Sequence, residues 1–111
     1  MLEFPSIEPF EKEMSAGTSF EEYGFVYVDR ERWNTSPETT PLFLFTDDEA
    51  EEDDEQGMPL VATERGLTNL LAIADLEGVF MNFRNARPQG SVMELMDAIN
   101  HYREYDAYKY L

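Results

Sequence analysis

The sequence predicts an α+β domain: a small antiparallel sheet of about three strands, packed with three to four helices, two of them at the C-terminal end. Three observations lead there. Gly24–Val28 and Leu42–Phe45 are dense in aromatic, β-branched and other large apolar residues, the composition of strands. Two later segments repeat their apolar residues at helical spacing. The length of 111 residues, 42% of them hydrophobic and 14% aromatic, suffices for one modest core and not for two, so residues 1–111 read as a single acidic domain.

Taken in chain order, Ser6 stands where the N-cap of a first short helix belongs. Ile7, Phe10 and Met14 fall on one side of it, and Glu8, Glu11 and Glu13 occupy the rest. The early acids suit the positive end of that helix, and Ala16-Gly17-Thr18 ends it. Gly24–Val28 is the first strand. Asp29–Pro41 reads as a loop containing Trp33, with prolines at 37 and 41. Leu42–Phe45 is the second strand, apolar on both faces and therefore central or covered on both sides. Pro59–Gly66 reads as a short irregular or helical turn. Leu67–Ile73 reads as a third strand, with a helix as the competing assignment.

The last third has clearer periodicity. Asp75 is placed to cap a helix carrying Leu76, Val79, Phe80 and Phe83 at the 3.6-residue period. Arg84 and Arg87 sit near its negative end, and Pro88-Gln89-Gly90 stops it. Ser91-Val92-Met93-Glu94 has the pattern of a capping box, opening a helix with the stripe Val92, Leu95, Met96, Ile99 and Tyr102.

Charge is the strongest compositional signal. The formal net charge is -16, and residues 1–57 hold 17 acids against three bases while residues 58–111 hold seven against five. Eight acids crowd one run, DDEAEEDDE: Asp47, Asp48, Glu49, Glu51, Glu52, Asp53, Asp54 and Glu55. The run follows directly on the second strand. Burying unpaired carboxylates there is prohibitive, so 46–57 is expected to be an exposed acidic loop that leaves the sheet edge into water. Such a field attracts basic macromolecules and repels nucleic acid and anionic membrane. Glu11, Glu13, Glu21, Glu22, Asp29, Glu31 and Glu38 extend the patch if the fold gathers them. The bland alternative is a solvated loop that only keeps the protein soluble.

The run does not fit an EF-hand. Starting at Glu52 puts Gly57 correctly at the sixth position but Thr63 at the twelfth, where a bidentate carboxylate is needed; starting at Asp47 puts Glu52 where glycine belongs. No metal or cofactor is expected. The absence of cysteine removes disulfides and thiolate chemistry. Neither a signal-peptide pattern nor an apolar run of about 20 residues is present, and a soluble cytoplasmic protein is expected. The lone His101 falls on the polar side of the last helix with no local nucleophile or carboxylate partner. No phosphate-binding, zinc-protease or nucleophile-elbow motif occurs, so an enzyme is not expected. Trp33 has two readings, a cap on the core or an apolar interface anchor. The C-terminal tyrosines offer a stacking surface, but with no basic groove beside them they are expected to pack the last helical turns, Tyr105 and Tyr108 above all.

Several segments resemble a family of small acidic bacterial domains, some of which are immunity proteins of secreted or contact-dependent toxin systems. They are Ala62–Leu67 (ATERGL), Ile73–Val79 (IADLEGV) and Glu94–Ile99 (ELMDAI), with Tyr102 and Asp106-Ala107-Tyr108. Trp33-Asn34-Thr35 ahead of an apolar strand that ends in acids is similar too. The resemblance implies an α+β fold and a protein-binding role, with no catalytic residue to carry over. Together with the charge, it gives the expected function: a non-enzymatic inhibitor, most specifically an immunity protein that neutralises a basic, nuclease-type toxin. The eight acids would form the binding surface, with Trp33 as a possible anchor. A nucleic-acid mimic that inhibits a DNA-binding protein is the alternative, and an accessory domain with a merely solvated loop the third reading.

Overall fold

The computed structural model describes residues 1–111. It builds one four-stranded sheet from β1 (Leu2–Phe4), β2 (Tyr23–Asp29), β3 (Leu42–Thr46) and β4 (Leu67–Ala72), in the order β1-β3-β2-β4. The helices are α1 (Ile7–Ser15), α2 (Arg30–Thr35), α3 (Leu60–Glu64), α4 (Ile73–Ala86) and α5 (Val92–Tyr105). Two compact units result, Met1–Ile73 and Ala74–Leu111. The fold is α+β, with two long C-terminal helices.

All strand pairs in the sheet are antiparallel. Since β3 and β4 both flank β2, they run parallel to one another, and β1 and β2 likewise run parallel on either side of β3. Parallel strands cannot be joined by a tight turn and need a crossover. The sheet therefore contains two: β1 to β2 through α1, and β3 to β4 through residues 47–66. The two crossovers start on strands of opposite direction and move the same way across the sheet. If both take the usual right hand, they must lie on opposite faces.

The contacts place them so. Strand alternation puts Leu42, Leu44, Val26 and Val28, all fully buried, on one face. Phe4 pairs with Leu42 on that side, and its ring meets Phe10 of α1 at 5.0 Å and Phe20 at 5.9 Å. The opposite face carries Tyr27, Phe43 and Phe45. There Ala50, Met58, Val61, Ala62 and Leu67 pack into a cluster with them. The second crossover thus lies across β2, where its few apolar residues hold it against the sheet.

Several local expectations change. β1 is a fourth strand, short enough to escape notice and followed directly by Pro5. The segment Asp29–Pro41 is not a loop: α2 begins at once, because the Asp29 carboxylate caps it by accepting from the Arg32 N–H at 3.0 Å. A 3-10 turn follows at Pro37–Thr39. Ser6 does occupy the N-cap position of α1, but its hydroxyl makes no capping bond. Asp75 is not a cap either, because α4 starts at Ile73 immediately after β4; Asp75 lies in the first turn and accepts from the Tyr102 hydroxyl at 3.1 Å.

The C-terminal unit is a helical hairpin, as the Tyr102–Asp75 bond between the far ends of α5 and α4 requires. The capping box forms in full: Ser91 Oγ accepts from the Glu94 N–H and the Glu94 carboxylate accepts from the Ser91 N–H. Arg84 donates to the Gly90 carbonyl at 2.7 Å and closes the turn. Leu76, Val79, Phe80 and Phe83 on α4, and Leu95, Met96, Ala98 and Ile99 on α5, are buried. Asp106 ends α5 in the left-handed region at φ 53°, and the chain turns back so that the Tyr108 hydroxyl meets Gly78 and Lys109 pairs with Asp97. Tyr105 departs from expectation, being 61% exposed, with its ring on His101.

A methyl group at position 90 would stand 2.5 Å from the buried Phe83 ring. Gly90→Ala is therefore expected to destabilise the protein by about 1–3 kcal/mol, an overpacking cost measurable by urea unfolding. Trp33 is 1% exposed. Trp33→Ala is expected to cost about 3–5 kcal/mol in the same measurement, and a change near zero would remove Trp33 from the core.

Candidate partner-binding surface

The acidic run begins where β3 ends, and its first turn is closed by Ala50 N–H donating to the Thr46 carbonyl at 2.9 Å. Glu49 folds back onto that strand end, accepting from the Thr46 N–H at 3.0 Å, from the Thr46 hydroxyl, and from the Met1 ammonium. These bonds hold its carboxyl below the ordinary glutamate value, with the ammonium contact the largest cause and the Thr46 N–H next.

Asp54 is the second anchor. It accepts from the N–H groups of Gln56 and Met58, each at 2.9 Å, and from the Thr63 hydroxyl of α3 at 2.8 Å. The Met58 N–H is the main cause of its lowered pKa, followed by Thr63. Around it, the Asp54 N–H donates to the Met58 carbonyl at 2.7 Å, the Leu60 N–H donates to the Glu52 carbonyl at 2.7 Å, and Asp53 forms a bridge with Pro59. Gly57 supplies the tight turn at φ 82°, which a side chain would strain. At the far end the Arg65 guanidinium lies 5.9 Å from the centre of the Phe43 ring.

The remaining acids face water. Asp47, Asp48, Glu51, Glu52, Asp53 and Glu55 are exposed, as is Glu49, whereas Asp54 is half-buried. The run does not leave the sheet edge as expected; it crosses the sheet face. Burial, and then the charge of Asp53, push the Tyr27 phenol above its ordinary pKa.

Strand register decides which other acids join this surface. Tyr23 pairs with Thr46, so Glu21 and Glu22 stand at the same end of the sheet as Asp47 and Asp48. Burial, then the charges of Glu22 and Glu49, raise the Tyr23 pKa. Asp29 and Glu31 stand at the other end, where Asp29 pairs with Leu67. Glu11 is only 7% exposed and is withdrawn from any surface patch. Trp33 lies in the core, so its ring is not displayed to a partner. The exposed aromatic on the sheet is Phe25, 43% exposed, with its ring 6.4 Å from that of Tyr27. The alternation of Phe25 and Tyr27 with buried Val26 and Val28 was the signal available for it.

No three or more histidine, aspartate and glutamate side chains converge to hold a metal ion. No helix is long and apolar enough to cross a membrane. The geometry defines a small α+β protein with an anchored acidic crossover on one face of its sheet. The chain belongs to the family described as a domain of unknown function (DUF7716), which it matches over residues 15–110. No curated protein and no solved structure matches it.

The anchoring role of Asp54 has a pH signature. A carboxylate whose pKa is lower folded than unfolded contributes stability that is present above the unfolded value and lost as pH falls through the folded one. Asp54→Asn is therefore expected to lower the Tm at pH 7. Its deficit against the parent should close as pH drops below about 4, the ordinary aspartate range. Thermal melts of both proteins between neutral and acid pH check this; a deficit independent of pH would mean the Asp54 charge is not what anchors the segment.

Proposed function

We propose that this chain is a non-enzymatic binding protein that inhibits a basic protein partner, in its most specific form an immunity protein neutralising a nuclease-type bacterial toxin. The observation that carries the reading is the division of labour within the acidic crossover. Glu49 and Asp54 spend their carboxylates on holding the segment, while Asp47, Asp48, Glu51, Glu52, Asp53 and Glu55 point into solvent. A segment already held needs little ordering when a partner docks, which lowers the entropic cost of binding. Its charge speeds encounter with a positive surface and selects against wrong partners. Nucleases need such a positive surface for phosphate, and an acidic inhibitor competes for it. The resemblance to small acidic immunity domains points the same way. A nucleic-acid mimic would instead want carboxylates spread at phosphate-like intervals, and the crowding of six on one crossover favours protein docking.

The test spares the two anchors. Replacing the six outward acids by Asn and Gln leaves the hydrogen bonds of Glu49 and Asp54 intact, so the melting curve should stay cooperative. The parent chain is expected to retain a basic protein from the source cell at low salt, and the six-acid variant to lose it. Against the purified partner, association is expected to slow by at least about tenfold, with a flatter salt dependence. Equal retention by both proteins would reduce the acids to a solubility device. Displacement of the partner by duplex DNA would favour mimicry over immunity.

A further inference from the structure

The two edges of the sheet are built differently. β1 has three residues, carries the exposed Glu3 and runs into Pro5, all features that discourage another strand from pairing there. β4 has six residues, LTNLLA, with no charge and no proline, and it hydrogen-bonds to β2 along one side alone. Its outer side is paired to no further strand, and its one irregularity is the register shift at Leu70, which leaves Leu67–Asn69 as a regular stretch of edge. We propose that this open edge of β4 is the docking site for an extended, basic segment of the partner protein, which adds a fifth strand to the sheet.

The charge of the occupant follows from what lies beside the edge. Asn69 of β4 pairs with Tyr27, against which Ala50 and Met58 of the acidic crossover pack. A strand added outside β4 stands two strand spacings from Tyr27, about 10 Å, which is comparable to the Debye length at physiological salt. At that distance salt weakens the pull of the acidic crossover without abolishing it, so the attraction grows as ionic strength falls. The crossover also delivers α3 next to β4, with Glu64 exposed at its end. A second copy of this chain would bring another charge of -16 to the same place and is repelled. A basic strand is attracted.

The register supplies an anchor as well. Phe25 pairs with Ala72, whose side chain is a single methyl, and its ring is 43% exposed. An arginine opposite Ala72 on the added strand reaches across it to the Phe25 face, a cation–π contact of a kind that favours Arg over other side chains. Backbone pairing, the acidic field and Phe25 thus select the same ligand: an extended segment with alternating basic residues.

This inference rests on the partner being basic, and its test separates the two claims. The probe is a capped octapeptide alternating arginine and valine, compared with the same peptide N-methylated at consecutive residues, which blocks both of its strand edges without changing its charge. Backbone NMR is expected to show shifts and slowed amide exchange in Leu67–Ala72 on addition of the first peptide. Affinity should fall about tenfold or more with the methylated one, and several-fold with Phe25→Ala. If binding needs the six outward acids but ignores N-methylation and leaves β4 unchanged, the acidic surface stands and the β4 site is overturned. If N-methylation abolishes binding while the six-acid variant binds as the parent does, the β4 site stands and the electrostatic reading fails. No change in β4 at millimolar peptide overturns the site. Protection of β4 that appears in the protein alone as its concentration rises makes the occupant a second copy, and also overturns it.

Discussion

The structure depends most on one topological constraint: β3 and β4 are parallel and separated by β2. A parallel pair cannot be closed by a turn, so the chain must travel back over the sheet between them. The most acidic stretch of the sequence occupies that passage. Its location on a sheet face is therefore imposed by strand order and not chosen by its own composition. The first crossover, through α1, takes the other face, and each face of β2 and β3 acquires its cover from a different part of the chain.

Holding eight acids near an apolar face looks unfavourable, since buried carboxylates without partners are costly and like charges repel. The segment resolves this by sorting its residues. Ala50 and Met58 turn inward with Val61 and Ala62 of α3, onto Tyr27 and Phe45. Glu49 and Asp54 satisfy backbone N–H groups at the two bends, where a carboxylate is stronger than any neutral acceptor. The other six remain hydrated. The repulsion among them is the tension in the arrangement, and the two anchors with their inward apolar neighbours oppose it. The basic partner proposed above would relieve that repulsion by supplying opposite charge.

The C-terminal unit follows different rules. Its order comes from local devices: a complete capping box, a glycine where the Phe83 ring leaves no room for a side chain, and a tail returned by the left-handed Asp106. It carries little net charge, so self-repulsion weighs far less on it than on the acidic sheet.

The sequence by itself determined whatever rests on short-range physics. Strands at Gly24–Val28 and Leu42–Phe45, one at Leu67–Ile73 with a helix in competition, the capping box at Ser91 and the exposure of most acids were legible because composition, periodicity and the cost of burying charge act locally. The six residues of α2 were not legible, since they hold one large apolar side chain and show no period; nor was β1, whose three residues become a strand only through pairing with β3. Tertiary structure alone decided strand order, and with it the conversion of an apparent free loop into an anchored crossover. It separated Asp54 and Glu49 from their six neighbours, withdrew Trp33 and Glu11 from the surface, and displayed Phe25. In each case the reason is the same: which face a residue meets, and which edge is left open, depend on partners distant in sequence.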